Sequence, residues 1–225
     1  MKSVPTNPIT QTRKSQREMR PIQALELLKA GNRRFVGGCM VNRDLREQVS
    51  ATAGGQYPYA AILSCQDSRT SSEVLFDLNK GDAFSIRIAG NVVNGDVLGG
   101  LEFSTRLMGA KLIAVIGHTR CGAITGAIDN AELGNLTALL RRIRPAVDST
   151  LASRPPGIPP GSDDRKFVEE VARANVRLAM RQIRRRSPVI RALLESNIEQ
   201  EQIGLVGGMY NLATGKVTFY EVQNC

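Results

Sequence analysis

Two short stretches of the chain contain residue types that bind metals. In "ILSCQDSRTSSE", Cys65 ends an apolar run, and in "GHTRCGAITG", His118 stands three residues before Cys121. His118 is the only histidine of the chain. The H-x-x-C spacing lets an imidazole and a thiolate converge on one ion, and Cys65 can join them if its strand lies alongside. The residues therefore suggest a site of two thiolates and one imidazole.

Three protein ligands leave one of the four positions of a zinc ion open, which is typical of a catalytic zinc site. Zinc lowers the pKa of a bound water from about 15.7 toward about 7 and so supplies hydroxide at neutral pH. A cysteine at a strand end is also common as a small buried apolar residue. The spacing alone leaves both interpretations open.

Asp67 and Arg69 place an acid and a base two residues apart, directly after Cys65. Their proximity to the possible metal site suggests a catalytic pair. A salt bridge that stabilises a turn would need the same two residue types. The sequence by itself does not decide between the two roles.

Three apolar runs predict the strands that position these residues. They are "YPYAAILSC", ending at Cys65, the run from Asp82 to Gly90, and the run from Ala110 to His118. Segments with helical spacing lie around the third run, at residues 97–108 and in "GAITGAIDN". Alternating strands and helices predict an α/β fold with a mostly parallel central sheet flanked by helices. In such a sheet, functional groups gather at the carboxyl ends of the strands.

The flanking segments complete the predicted architecture. Residues 1–20 are polar and basic, and they predict a flexible N-terminal arm or one that crosses onto a partner. A helix begins at Pro21, with Gly31-Asn32 as its predicted stop. Residues 21–225 form one predicted domain, which ends in two strands around a turn near Thr214-Gly215.

A proline-rich stretch precedes the longest predicted helix. Residues 153–164 contain four prolines and predict an exposed loop, with Ser162 or Asp163 as the N-cap of the next helix. The face of that helix is marked by Val168, Val171, Asn175, Leu178 and Ile183. Ser187-Pro188 begins a shorter helix.

Composition narrows the class of protein. The chain has 225 residues, 42% of them hydrophobic, which suffices for a sizeable core. Its four cysteines are scattered and suit no disulfide framework. Neither an apolar run long enough to span a membrane nor a signal-peptide pattern is visible, so we expect a cytoplasmic protein that does not enter membranes.

The chain is basic, with a net charge of +9 and a pI near 9.8. Much of the charge is arginine in helical stretches with almost no aromatic residues between, so platforms on which bases could stack are missing. A solvated basic helix face is the favoured interpretation, and we expect no nucleic-acid partner. The absence of G-x-G-x-x-G disfavours dinucleotide binding.

The two stretches resemble the β-class carbonic anhydrases. "CQDSR" and, 53 residues after its cysteine, "HTRC" match the family pattern C-x-D-S-R and H-x-x-C. The resemblance extends from about Pro21 to the end, through segments such as "LLKAGNRRFVGG", "LGGLEFSTRLMGAKLIAVIGHTRCGAI" and "VGGMYNLATGKVTFY".

This resemblance implies one zinc ion per subunit, bound by Cys65, His118 and Cys121, and reversible hydration of carbon dioxide by zinc-bound hydroxide. It implies that Asp67 and Arg69 form the catalytic dyad of the family. The aspartate there either accepts a hydrogen bond from the hydroxide while the arginine holds it, or moves onto zinc and closes the site. Both arrangements are physically consistent: the arginine fork keeps the carboxylate ionised and off the metal, and without Arg69 the aspartate would compete for the open zinc position.

The resemblance also implies an apolar substrate pocket. Gln56 and Phe84 match the glutamine and phenylalanine of plant-type members, while Phe103 replaces a tyrosine and Ala89 a valine. Gly122 completes the predicted pocket. Members with a regulatory bicarbonate site have a tryptophan where this chain has Ile62, so we expect no such switch here.

Family members are dimers or larger, and a homo-oligomer is therefore expected, as a dimer or tetramer. Two alternative functions stay open: hydrolysis of carbon disulfide or carbonyl sulfide on the same fold, and a zinc-stabilised basic binding module. If His118 binds the metal, no second histidine exists to export the proton. Buffer, or a carboxylate or tyrosine at the pocket mouth, must then do so.

Overall fold

Five strands form a single sheet in the order β2-β1-β3-β4-β5 in the computed structural model, which describes residues 10–155 and 160–225. The strands are β1 (Ala60–Ser64), β2 (Ala83–Arg87), β3 (Leu112–His118), β4 (Gly204–Tyr210) and β5 (Val217–Gln223). The first four are parallel to one another, and β5 pairs with β4 in the antiparallel sense. This confirms the predicted α/β class with a mostly parallel sheet and a C-terminal strand pair.

The helices of the described residues are α1 (Arg13–Glu18), α2 (Pro21–Val36), α3 (Leu45–Thr52), α4 (Ser72–Leu75), α5 (Gly95–Glu102), α6 (Gly122–Ile128), α7 (Gly134–Leu140), α8 (Arg144–Ala152), α9 (Arg165–Arg186) and α10 (Pro188–Leu194). Short helices such as α3 and α7 were not predicted, because they carry too few turns to show a clear apolar period. Within the described ranges, no helix is both long and apolar enough to cross a membrane.

The helices cover both faces of the sheet. Ala61 and Leu63 of β1 join a core layer with α5, α6, α8, α9 and α10. Ala60 and Ile62 join the opposite layer with α2 and α4. Because successive side chains of a strand point to opposite faces, both sets must be apolar, which explains why "AAILS" does not alternate.

Helix α2 runs past its predicted stop at Gly31-Asn32 and ends at Val36, so that prediction is wrong. A Cβ atom on Gly31 would lie 1.8 Å from the Phe76 carbonyl oxygen, so glycine is needed for close packing. The buried Asn32 side chain donates to the carbonyl oxygens of Leu75 and Gly215. Tertiary contacts therefore use both residues inside the helix.

Part of the predicted N-terminal arm is helical and contacts the body of the protein. Thr12 caps α1, and the Nε2 of the buried Gln16 donates to the carbonyl oxygens of Pro58 and Met108, each at 2.7 Å. Residues 1–9 of the arm lie outside the described residues. Whether the arm also reaches a partner stays a prediction.

Helix α9 begins one or two residues later than predicted, because neither Ser162 nor Asp163 is its N-cap. Its N-cap is Asp164, whose side chain accepts from the backbone N–H groups of Lys166 and Phe167. Ser162 instead donates to the Asp129 carboxylate, which removes it from the cap. Residues 156–159 of the proline-rich loop lie outside the described residues. The predicted start of α10 at Ser187-Pro188 is confirmed, because Ser187 caps that helix.

The segment predicted as a helix at 97–108 begins earlier and changes its pitch. Helix α5 starts at Gly95, after the cap Asn94, and continues as a π-helical turn over Phe103–Leu107. In that region the Ser104 and Thr105 hydroxyls donate to backbone carbonyl oxygens four residues earlier. Strand β2 likewise ends at Arg87, and a 3-10 turn over Ala89–Asn91 follows it.

Candidate functional site

The side chains of Cys65, His118 and Cys121 converge at one edge of the sheet. Their ligating atoms lie within 4.8 Å of one another, and the two Sγ atoms are 3.9 Å apart. All three residues are buried. Among the described residues, this is the group of histidine, cysteine and acidic side chains arranged to hold a metal ion.

The fold brings the three residues together from separate elements. Cys65 directly follows β1, and His118 is the last residue of the adjacent parallel strand β3. Cys121 is the N-cap of α6 and follows a turn in which Arg120 has φ +55°. The H-x-x-C pair could be joined by Cys65 only if the strand before Cys65 lay beside the strand of His118. The sheet order places β1 and β3 side by side and so brings all three residues together.

The imidazole of His118 is oriented for metal binding. Its Nδ1 lies 2.9 Å from the Thr119 carbonyl oxygen, and since a carbonyl only accepts, Nδ1 carries the hydrogen. Nε2 is buried and has no hydrogen-bond partner. Thr119 is itself held because its N–H donates to Tyr210 in β4. A fixed tautomer with a free, buried Nε2 lone pair is what a metal ligand requires.

The surroundings of Cys65 favour a thiolate. Its pKa lies below the usual range of a thiol, chiefly because the Cys121 thiol donates a hydrogen bond to it and further because the N–H groups of Asp67 and Gly90 donate to the same sulfur. The two amide nitrogens lie 3.5 and 3.4 Å from the sulfur. The shared hydrogen bond and burial raise the pKa of Cys121. This donor set of two sulfurs and one imidazole nitrogen fits a zinc ion.

Asp67 and Arg69 form a bidentate ion pair beside the thiols. Arg69 Nε lies 2.9 Å from Oδ1 and Nη2 lies 2.7 Å from Oδ2 of Asp67. The Arg69 backbone N–H also donates to Oδ1, at 3.0 Å. The Arg69 side chain holds the pKa of Asp67 well below its usual range, so the carboxylate is ionised.

The loop that carries Cys65 and Asp67 is held by residues that sequence reasoning missed. The Arg87 guanidinium donates to the carbonyl oxygens of Cys65 and Asp67 at 3.2 and 2.6 Å. The Thr70 hydroxyl also donates to the Cys65 carbonyl oxygen, at 2.8 Å. The sequence gives no specific signal for either residue, because Arg87 lies inside the run predicted as a strand and its pairing with Ser64 is visible only in the structure.

Two predicted pocket residues border the metal-binding group. Gly122 begins α6 directly after Cys121. Ala89 is buried in the turn after β2, and the next residue, Gly90, contacts Cys65. Both positions therefore lie at the carboxyl edge of the sheet.

The other three predicted pocket residues do not lie at this edge within one chain. Gln56 is exposed and precedes β1, at the opposite end of that strand from Cys65. Phe84 pairs with Ala61, near the start of β2. Its ring meets that of Phe103 edge to face at 5.9 Å, and Phe103 is 46% exposed. Phe84 is thus half-buried against the core and Phe103 is exposed, and this aromatic pair does not line the site of its own chain.

Comparisons with known proteins agree with this geometry. A family model described as carbonic anhydrase matches residues 60–217. The chain is 32% identical over 204 residues to a carbonic anhydrase of Mycolicibacterium smegmatis, which covers 88% of this chain and 92% of the relative. It is 31% identical over 202 residues to carbonic anhydrase 2 of Mycobacterium tuberculosis, covering 87% and 91%.

Solved structures show the same fold. The β-carbonic anhydrase of Coccomyxa, determined in complex with acetazolamide, matches with a TM-score of 0.71 and 25% identity, over 88% of this chain and 87% of that one. The β-carbonic anhydrase CafA of Aspergillus fumigatus matches with a TM-score of 0.67 and 25% identity, over 85% and 88%. The chain therefore belongs to the β-carbonic anhydrases, a family of enzymes.

Proposed function

We propose that this carbonic anhydrase converts carbon dioxide and water reversibly to bicarbonate and a proton, with one zinc ion per subunit bound by Cys65, His118 and Cys121. The observation that carries the proposal is the convergence of three buried ligating atoms within 4.8 Å, one of them a histidine Nε2 without a partner. When bound, zinc would act as a Lewis acid that lowers the pKa of water toward neutrality.

Asp67 is proposed to orient the attacking hydroxide. Its ionised carboxylate would accept a hydrogen bond from the hydroxide O–H, and this would direct an oxygen lone pair toward the carbon of carbon dioxide. Arg69 occupies both carboxylate oxygens from one side with a planar fork, which fixes the carboxylate plane and holds the acid away from the metal ligands. The pair thus acts as a positioned acceptor, not only as a salt bridge that stabilises the turn.

The complete substrate pocket is proposed to need a second copy of the chain. Ala89 and Gly122 border the metal-binding group, whereas Gln56, Phe84 and Phe103 lie elsewhere in the same chain. Strands rise about 3.3 Å per residue, so the four residues from Ala61 to Cys65 separate Phe84 from the thiol by roughly 13 Å along the strand. In a homodimer or tetramer, a partner subunit could supply Gln56, Phe84 and Phe103 to the site that Ala89 and Gly122 border, so that both groups of residues line one pocket.

The remaining expectations fit the same proposal. All four cysteines are free, which supports a reducing compartment such as the cytoplasm. Zinc would have three protein ligands, which supports a catalytic site over a zinc-stabilised binding module. The alternative activity, hydrolysis of carbon disulfide or carbonyl sulfide, is separated from carbon dioxide hydration by assaying the protein with each of these substrates.

The test is stopped-flow carbon dioxide hydration with zinc content measured on the same sample. Cys121→Ser should lose most of its zinc and its activity, while the matched variant Cys39→Ser, at an exposed cysteine, should keep both. Normal zinc and a normal rate in Cys121→Ser would overturn the site. Turnover of carbon disulfide or carbonyl sulfide without carbon dioxide hydration would overturn the substrate assignment.

A further inference from the structure

One polar side chain stands within the apolar face of the longest helix. Asn175 of α9 is 2% exposed, and its neighbours on that face, Val171, Ala172, Val176 and Ala179, belong to the hydrophobic core. A buried amide is unfavourable in such a place unless it makes hydrogen bonds. Asn175 Nδ2 donates to the Gly90 carbonyl oxygen at 2.7 Å, so this residue links α9 to the turn after β2.

That turn leads directly to a proposed metal ligand. The Gly90 N–H donates to the Cys65 sulfur, with the nitrogen 3.4 Å from Sγ. The turn has an unusual backbone, because both Gly90 (φ +62°) and Asn91 (φ +43°) adopt the left-handed region. A Cβ atom at Gly90 would lie 2.6 Å from Cδ1 of Ile143, so only glycine fits without a shift.

We propose that Asn175 is a positioning residue for the metal ligand Cys65. By binding the Gly90 carbonyl, it holds the peptide group between Gly90 and Asn91 and thereby restricts the adjoining peptide group, whose Gly90 N–H points at the sulfur. An N–H donor reduces the charge density on a thiolate and holds its direction, and both effects tune how it binds a metal. This inference rests on the proposed zinc site.

The test compares the Asn175→Leu and Asn175→Ser variants with wild type. Leucine keeps the volume without the donor, and serine keeps a hydroxyl that is too short to reach Gly90. Direct hydrogen-bond partners of metal ligands typically contribute about 10- to 100-fold in metal affinity, and Asn175 acts through such a partner, so zinc affinity from chelator competition should fall by up to about 10-fold in both variants. In the Co²⁺-substituted protein, the sulfur-to-metal charge-transfer band should shift.

Two further measurements separate positioning from simple packing. Hydrogen exchange of the Gly90 amide in the metal-free protein should accelerate in both variants. Asn32→Leu is the matched control, because Asn32 is an equally buried amide that binds backbone carbonyls, at α2 on the other face of the sheet. It should leave zinc affinity, the cobalt spectrum and Gly90 exchange unchanged.

The outcomes separate this inference from the function on which it rests. If wild type binds zinc but both Asn175 variants match its affinity, spectrum and amide exchange, Asn175 only packs and the inference is wrong. If one variant does not fold, the other decides. If wild type binds no zinc through Cys65, His118 and Cys121, the proposed function fails first and the inference falls with it.

Discussion

Arg69 engages both carboxylate oxygens of Asp67, with Nε 2.9 Å from Oδ1 and Nη2 2.7 Å from Oδ2. The Asp67 side chain is 17% exposed and that of Arg69 is 55% exposed, so the carboxylate faces the protein while the guanidinium covers it from the solvent side. An exposed ion pair adds little to stability, which supports the proposed role of this pair in orienting the carboxylate.

Arg69→Lys should lower kcat/KM for carbon dioxide hydration by roughly 10- to 100-fold, because lysine is a point charge and cannot hold both oxygens in one plane. Zinc content should stay at the wild-type level. Arg173→Lys, at a partly exposed arginine of α9, is the matched control and should leave the rate unchanged. An unchanged rate in Arg69→Lys would show that the pair only stabilises the turn.

The hydration rate should depend on buffer concentration. His118 is the only histidine of the chain, and it is 1% exposed with Nδ1 bonded to Thr119, so it cannot carry a proton to solvent. Exogenous imidazole with a pKa near 7 should accelerate turnover until another step limits it. Stopped-flow rates at constant pH and ionic strength test this. Identical rates in dilute and concentrated imidazole would mean that the chain exports the proton by itself.

The metal-binding group could be predicted from the sequence because its information is local. Cys65 and His118 each stand at the end of a predicted strand, and the ends of parallel strands lie at the same edge of a sheet. The pocket could not be placed in the same way. Offsets from Cys65 identify Phe84 and Phe103, but they do not say whether a residue serves its own site or that of a second copy.

Helix boundaries and supporting residues were predicted less well for a related reason. Gly31-Asn32 is a typical helix stop signal in the sequence. In the structure, Gly31 allows the close approach of the Phe76 backbone, and Asn32 accepts a hydrogen bond from the Val217 N–H. Asn175 is an ordinary helix-face position in the sequence, and only the structure shows that it donates a hydrogen bond to the Gly90 carbonyl oxygen. In each case the deciding contact comes from a residue more than 40 positions away in the chain.

Gly31→Ala should destabilise the protein although alanine is the better helix former. Helix propensity alone predicts a gain of about 1 kcal/mol in the free energy of unfolding. The new Cβ would lie 1.8 Å from the Phe76 carbonyl oxygen, so α2 must move; with an overpacking cost near the upper end of about 1 to 3 kcal/mol, the net loss is roughly 1 to 2 kcal/mol. Urea unfolding measures the sign. A more stable variant would show that α2 can shift without loss.

Asp82 should make stability fall as pH rises. Burial raises the pKa of its carboxyl to about 6, against the partial effects of the Asn79 N–H and of Arg43. Oδ2 accepts from that N–H at 2.8 Å, and Oδ1 has no partner. The folded state then holds the proton more tightly than the unfolded chain, whose aspartate pKa is about 3.9. The free energy of unfolding therefore decreases between about pH 4 and pH 6 through this group.

Asp82→Asn keeps an acceptor for Asn79 and removes the charge. Relative to wild type, it should gain roughly 1 to 3 kcal/mol on going from pH 4.5 to pH 8. Urea unfolding at both pH values gives this difference. Asp96→Asn, at an exposed aspartate of α5, should show no such gain. A difference between Asp82→Asn and wild type that is independent of pH would mean that Asp82 titrates alike in both states.

Phe103→Ala should weaken both association and catalysis without loss of zinc. Phe103 is 46% exposed and packs on Phe84 at a distance from the metal-binding group of its own chain, so its proposed place is the pocket of a second copy. Sedimentation should show a weaker oligomer, and kcat/KM should fall on the order of 10-fold because an apolar wall of the pocket is lost. Leu133→Ala, at a leucine that is 70% exposed, controls for the loss of any surface apolar group and should change neither measurement. A variant that stays fully associated and fully active would place the aromatic pair outside both the interface and the pocket, and Gln56, Phe84 and Phe103 would then have to be removed from the proposed site.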